Sequence, residues 1–461
     1  MKIEKANKIL LHKFKECLDE INYHLMLTIL LGESNYFTNP VPDYFMVKKE
    51  LKKIDTDMQG ILAFLLLGDP VKREIVEKFI SQDVINHLYD LEVLNFDDNH
   101  YWLNNYLLTS YSNCYFLVSN VYYYPTCQNN DQKPYIGVDT YWLTRAIINM
   151  VHGDVLDLCT GSGIQAIISA KTADRVIAVD IDTKSKDVAI FNTYINNVEN
   201  KVDVRCGDLY NVIDKEERFD FILSNPPFIP IPKDIDFPIA GNGGEDGKDI
   251  IKNILNGYTL YLKPNGRALM IGQAIGNESK VFLDDTLDSM LPDMSYVVIY
   301  SDKTIINQQA NGFAELARKI NGNNSIHANQ WMDIYNNIGA DYFYNFTIIV
   351  TNNKRPNRKM YLNDRWNKTD IPNIDISSVT KLSETYTIKI SNNNSLAADD
   401  ELTEFIRRMD GVTSVQEIIA HMPFKFKIKY GKEGELTLLL KYLSICSSLE
   451  RQGMIKKANF K

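Results

Sequence analysis

The sequence predicts an α/β protein built on a doubly wound, seven-stranded, mainly parallel sheet, with a helical region before it and a small domain after it. Three observations carry this. Between 154 and about 350, apolar runs (VLDLC, RVIAVDI, VDVRCGD, FDFILSN, GRALMIGQ, SYVVIYS and FTIIVT) alternate with amphipathic stretches such as SKDVAIFNTYINNV and GKDIIKNILNGYTLYL. That alternation implies parallel strands with helices on both faces. The first run leads through a glycine turn, DVLDLCTGSG at 154–163, directly into a helix. The seventh run, following close on the sixth, suits a sheet that ends in a reversed strand.

Residues 1–115 read as a mainly helical N-terminal domain. LLHKFKECLDEINYHLMLTILLG has helical spacing, and the segment from GILAFLLLGDP onward gives helix, Asp-Pro stop, helix, Ser-Gln-Asp cap, helix and a short hairpin around DDNH. That order is winged-helix-like; with no basic stripe, a helical lid on the next domain is the favoured reading over a nucleic-acid reader. Residues 116–352 form the sheet domain, entered through an aromatic, proline-containing loop and KPYIGVDTYWLTRAIINM. Residues 353–375 are polar, basic and aperiodic, which suits a linker. Residues 376–461 form a small winged-helix-like C-terminal domain: a capped helix, an Asp-Gly turn, a second helix opening on the capping box Thr-Ser-Val-Gln-Glu, a third helix and a short strand.

Composition sets outer limits. The chain has 461 residues, 45% hydrophobic and 24% charged, as in ordinary globular proteins. No apolar run reaches the roughly 20 residues of a membrane helix, and the N-terminus lacks the pattern of a signal peptide. Six cysteines are scattered without CxxC pairs or Cys/His clusters. This points to a reducing, cytoplasmic setting and to no metal site. From residue 354 onward, 19 Lys and Arg face 13 Asp and Glu, so this end is formally +6 and the remainder −15. An acidic body repels a phosphate backbone, which disfavours a nucleic-acid partner.

The chemistry sits at strand ends. Asp157 ends the first strand, and Gly161 and Gly163 form the turn into the helix at Ile164. Glycine there lets a ligand approach the backbone at a helix N-terminus. The third glycine of a dinucleotide turn is replaced by Ala166; Asp157 would repel a pyrophosphate and suits a cationic group. Asp180 ends the second strand, 23 residues after Asp157, where an acid can bind both ribose hydroxyls. Asp182 is the second choice. Asp208, ending the third strand, suits an adenine amine or a helix cap. The fourth strand ends in SNPPF, 224–228. Two prolines remove two donors and set an extended path. That path turns Asn225 toward a ligand, and its amide oxygen with a backbone carbonyl can accept both hydrogens of a planar NH₂. Phe228 can stack on the flat group.

These motifs, DLCTGSG, AVDID, GDLY and SNPPF, resemble those of class I S-adenosylmethionine (SAM)-dependent methyltransferases with an Asn-Pro-Pro-(Tyr/Phe) motif. The chain is most similar to the release-factor glutamine methyltransferase group and related amino-methyltransferases. KPYIGVDTYWL resembles the segment that closes over SAM in this superfamily, and AGNGGEDGKDII at 240–251 resembles the glycine-rich stretch of the glutamine-modifying members. The resemblance covers about 118–350 and implies a Rossmann-like fold. It implies that Asp157, Gly161 and Gly163 hold the methionine end, Asp180 the ribose and Asp208 the adenine. Asn225 and Phe228 then position the acceptor, with Pro226 shaping the loop. Asp139 and Thr140 are further candidates for capping SAM, the alternative being an N-cap for the helix at 141. The usual aromatic is tyrosine; with Phe228 the stack stays and a hydroxyl hydrogen bond is lost. The flanking domains differ from those of the release-factor enzymes.

The expected function is therefore SAM-dependent methylation of a planar nitrogen on a protein, peptide or small metabolite. The alternatives are an RNA or DNA base amine, or a SAM-consuming ring closure or aminocarboxypropyl transfer. The basic tail, with KFKIKYGK at 425–432, suits acidic peptides or nucleic acid, or is simply a solvated face. The oligomeric state is not legible in the sequence.

Overall fold

The computed structural model describes all residues except 32–43, 121–133, 324, 363–371, 383–384, 391–394, 429–437, 440, 444, 447–448, 450–453 and 458–461. Most of the expected aromatic loop before residue 134, and the end of the basic run at 425–432, lie outside the described residues. The chain forms two compact units, Met1–Tyr361 and Leu362–Lys461.

The first unit holds the sheet. Its strands are β1 (Gly153–Leu158), β2 (Ala173–Asp180), β3 (Val202–Cys206), β4 (Phe219–Ser224), β5 (Leu262–Gly276), β6 (Ser295–Ile305), β7 (Tyr342–Thr351) and β8 (Arg358–Leu362). The spatial order is β8-β6-β7-β5-β4-β1-β2-β3. Strands β5-β4-β1-β2-β3 pair in parallel, and β7 runs antiparallel to both β5 and β6. Seven strands occupy the expected runs. The eighth, β8, lies within the stretch expected to be a linker and covers the β6 edge, where unpaired backbone groups would otherwise remain.

Register explains the site. Leu158 on β1 pairs with Val179 on β2 and Ser224 on β4. The glycine turn, Asp180 and Asn225 therefore leave the sheet at one level, beside the β1–β4 switch point where ligands bind in such sheets.

The N-terminal helices do not stand apart. Leu11, Phe14, Ile61, Phe64 and Leu88 share one core with Val155, Val176, Phe221 and Ile271 of the sheet. The expected border at 115/116 falls inside the strand Cys114–Ser119, which pairs with Tyr106–Tyr111. Asn192 and Asn196, at the end of helix Thr183–Ile195, dock that strand. Leu117 N–H donates to Asn192 Oδ1 (2.8 Å) and Asn192 Nδ2 returns a bond to Leu117 O (3.0 Å); Asn196 does the same for Tyr115 (2.8 and 2.6 Å). Each amide thus stands in for a neighbouring strand. Within 71–103 a three-stranded sheet, in the order Val71–Lys72, His100–Leu103, Leu94–Phe96, takes its first strand before and its other two after helices Arg73–Val76 and Gln82–Asp90.

Between β6 and β7 the chain inserts two helices, Ile306–Asn321 and Asn329–Asn337. Trp331 and Phe313 pack there with Ile231, Ile235 and Phe237 from the loop after SNPPF. The indole Nε1 of Trp331 donates to Pro230 O at 2.8 Å, tying the insertion to that loop.

The second unit has a three-stranded sheet, Ile376–Leu382, Thr385–Ile390 and Ser395–Ala398, which the sequence reading did not anticipate. Helices Asp400–Arg407 and Val415–His421 follow, capped by Asp399 and Ser414. The Ser414–Glu417 capping box forms in both directions. Phe405 stacks on Tyr442 in the core, centroids 4.0 Å apart.

Candidate active site

A cavity of about 590 Å³ opens at the carboxyl ends of β1, β2, β3 and β4. Asp139, Thr140, Gly161, Asp180, Asp208, Asn225, Pro226 and Phe228 all line it. Two expected ligand residues, Asp157 and Gly163, are not among the residues that line it.

Asp157 is 1% exposed and lies beneath the turn. Its carboxylate accepts from the Thr160 hydroxyl and the Ala166 N–H, so it shapes the loop from below. Gly163 has φ +81°, and a Cβ there would meet the Ala189 Cβ at 3.2 Å. It serves the close packing of helix Ile164–Ser169 on its neighbour. Gly161, at φ +54°, has open space on the cavity side, and its N–H donates to Asp180 Oδ2 at 2.8 Å. Asn192 also reaches the loop, its Nδ2 donating to Ser162 O at 2.9 Å.

Burial pushes the Asp157 carboxyl up to about 7; the Thr160 and Ala166 bonds oppose the rise, and the Asp180 charge adds to it. The unfolded chain releases this proton near the ordinary value of about 4. Between about pH 4 and the folded value near 7 the folded state holds more protons, so this group's contribution to stability falls as pH rises through that window. In ligand-free protein, Asp157→Asn removes that ionisable component. Urea midpoints of the variant should therefore drop less than wild type over the window; parallel curves would assign the titration to another group.

Asp180 accepts from Gly161 N–H at Oδ2 (2.8 Å) and from Asp182 N–H at Oδ1 (3.0 Å), with the Ile181 N–H as a further backbone donor. A carboxylate has about four acceptor sites, so capacity remains for ligand hydroxyls. Burial, opposed by those backbone bonds, raises its carboxyl above the usual range. Asp182 caps the helix at Thr183, accepting from Lys184 N, Ser185 N and Ser185 Oγ, so its oxygens are committed. Asp208 precedes the 3₁₀ turn Leu209–Val212 without a side-chain cap bond and is exposed to the cavity mouth.

Asn225 is the most specific feature. Its Nδ2 donates to Asp139 Oδ2 at 2.8 Å. Its Oδ1 is buried with no hydrogen-bond partner. Helix Val138–Ile147 begins three residues before the expected 141, so Asp139 and Thr140 sit in its first turn. Thr140 Oγ1 accepts from Gly137 N–H at 3.2 Å.

The glycine-rich stretch 240–247 buttresses Phe228. Ile229 N–H donates to Gly241 O and Gly243 N–H to Ile229 O, both at 2.9 Å. A Cβ on Gly243 would lie 2.8 Å from Phe228 Cα and C, and one on Gly247 2.4 Å from Phe228 O. We expect Gly243→Ala to cost about 1–3 kcal/mol in a urea titration and to lower acceptor turnover more than ligand affinity. An unchanged turnover would show that the Phe228 turn does not depend on this contact. Several lining residues lay beyond sequence reasoning, Gln165, Ile239 and Leu316 among them. Gln165 donates from Nε2 to Thr140 O at 3.1 Å; Ile239 lies in the loop after the motif, and Leu316 comes from the inserted helix.

Five aspartates line the cavity (139, 180, 182, 208, 236) with one lysine, Lys184. Among the described residues no cluster of metal-binding side chains occurs. No helix among them is long and apolar enough to cross a membrane.

Comparison with known proteins picks out the same segment. The methyltransferase small domain family matches residues 137–291. A release factor glutamine methyltransferase of Koribacter versatilis is 34% identical over 173 residues, covering 34% of this chain and 61% of the relative. A ribosomal protein uL3 glutamine methyltransferase of Bradyrhizobium diazoefficiens is 34% identical over 122 residues, 24% of this chain and 38% of the relative. A protein of Methanocaldococcus jannaschii, provisionally named a protein N5-glutamine methyltransferase, is 31% identical over 148 residues, 31% of this chain and 73% of the relative. The chain thus spans less than two thirds of the two bacterial relatives.

Proposed function

Because the chain belongs to the methyltransferase small domain family, we propose that it methylates a planar nitrogen, the side-chain amide of a protein glutamine, using SAM. The observation that carries this reading is the buried, partnerless Oδ1 of Asn225. A buried acceptor without a partner costs about 1–3 kcal/mol, and a ligand N–H removes that cost. The names of the relatives supply the amide: theirs are glutamine methyltransferases acting on a release factor or on ribosomal protein uL3.

The cavity fits SAM on its own chemistry. Asp180 keeps acceptor capacity for ligand hydroxyls, and the acidic lining suits a ligand carrying ammonium and sulfonium charge. Gly161 leaves room at the loop, and Asp208 stands where an amine can reach it. When bound, SAM supplies an already activated methyl group, so no nucleophilic side chain is required.

The protein's own work is alignment. Asn225 Oδ1 accepts one N–H of the acceptor amide, and a backbone carbonyl of the Pro-Pro path takes the other. Phe228 lies against the flat group. Fixing the nitrogen in this way contributes roughly 7–11 kcal/mol of barrier lowering in well-oriented systems. As positive charge develops on nitrogen, the oriented amide dipole of Asn225 stabilises it. The proton then leaves to water. The excess of aspartates disfavours a polyanionic acceptor.

We read residues 1–115 and 376–461 as winged-helix-like domains on their helix-and-sheet order. We read the enzyme as cytoplasmic and the basic tail as a surface that binds an acidic peptide. Charge reversal at Lys425 and Lys427 should weaken binding of a protein acceptor and spare SAM affinity; loss of SAM affinity would contradict that division.

The reading is tested by the Asn225 and Asp180 variants and the product analysis described in the Discussion.

A further inference from the structure

We infer that Asp139 is a positioning residue that acts through Asn225, holding its amide so that Oδ1 faces the acceptor nitrogen. The inference rests on the reading of Asn225 given above and departs from the expectation that Asp139 caps the cofactor. An ionised carboxylate only accepts hydrogen bonds. Asp139 Oδ2 therefore selects the NH₂ end of Asn225, at 2.8 Å. The other end of the amide, Oδ1, is left buried and partnerless on a residue that lines the cavity. Turning the amide over would set Oδ1 against the carboxylate and place two donors toward an acceptor that itself donates.

Asp139 is held still for this task. It lies in the first turn of helix Val138–Ile147, where the helix dipole favours an anion. Thr140 Oγ1 closes that turn onto Gly137 N–H. Gln165, 3% exposed, clamps the same turn by donating to Thr140 O and Thr144 Oγ1. Gly137 leaves room for the carboxylate: a Cβ there would sit 2.3 Å from Asp139 Oδ1. The pull of the carboxylate on Nδ2–H also raises electron density on Oδ1, as linked hydrogen bonds polarise one another. Asn225 therefore meets the acceptor N–H as a stronger acceptor than an isolated amide.

The test uses the full chain labelled with ¹⁵N-asparagine, with the Asn225 side-chain signal assigned through Asn225→Ser. In wild type the Asn225 NH₂ should exchange with solvent at least about tenfold more slowly than in Asp139→Ala, and Asp139→Glu should restore protection. SAM affinity, measured by calorimetry, should stay within threefold in both variants. Methyl transfer from labelled SAM to an acetylated glutamine peptide should fall by about 10²-fold in kcat in Asp139→Ala, with the peptide KM little changed and partial recovery in Asp139→Glu. Equal exchange in wild type and Asp139→Ala overturns the proposal. So does a tenfold loss of SAM affinity, which would return Asp139 to the cofactor. If wild type leaves the peptide unmethylated while SAM binds, the glutamine reading fails, and the exchange and affinity measurements still decide the role of Asp139.

Discussion

Asn225→Ala should reduce methyl transfer by about 10²–10³-fold, the range seen when one oriented polar group is removed from a reacting centre. SAM affinity should stay within threefold. Asn225 lines the cavity with its Oδ1 buried and partnerless, and its other end is already taken by Asp139. Truncation removes the acceptor for the substrate N–H and leaves the turn shaped by Pro226 and Pro227 in place. Calorimetry with SAM and initial rates of labelled methyl incorporation separate the two quantities. A large loss of SAM affinity with turnover preserved at saturating SAM would move Asn225 from the acceptor to the cofactor.

Asp180→Ala should weaken SAM binding by about 10²-fold or more. Hydrogen bonds to a charged group contribute roughly 1.5–3 kcal/mol each, and two ribose hydroxyls are assigned to this carboxylate. The same substitution frees the Gly161 and Asp182 N–H groups that Asp180 holds, loosening the glycine turn as well. Asp182 is poorly placed to substitute, because its oxygens cap the following helix. Unchanged SAM affinity in Asp180→Ala would remove the ribose assignment altogether.

Much of the sheet was legible in the sequence because its signals are local. A buried parallel strand is a short apolar run, and its end is marked by Asp, Asn or a glycine turn. That is why Asp180, Asp208 and Asn225 could be named, and why all three reach one cavity. Asp157, named on the same signal, lies beneath the turn instead. Position at a strand end does not say whether a side chain points up into the cavity or back under the turn, and here burial against Thr160 decides it. The Asp139–Asn225 pair joins residues 86 apart, and nothing local in GVDT announces its partner. Leu316 reaches the cavity from an amphipathic helix whose pattern reports only that one face is buried. The docking of the N-terminal hairpin rests on Asn192 and Asn196, polar residues in a helix that read as surface until their strand partner is known. Strand β8 and the sheet at 376–398 follow polar, weakly alternating sequence, where pairing with neighbours rather than propensity sets the structure.

The central claim is that a flat amide nitrogen, held by Asn225 against Phe228, receives the methyl group. Incubation of the purified protein with methyl-labelled SAM and a cell extract, followed by complete digestion and mass spectrometry, tests it most directly. The account predicts label on glutamine as a single methyl on the side-chain amide nitrogen, absent with Asn225→Ala. Label recovered in the nucleic-acid fraction, label on a carbon or oxygen atom, or SAM consumed with no methylated amide would contradict it.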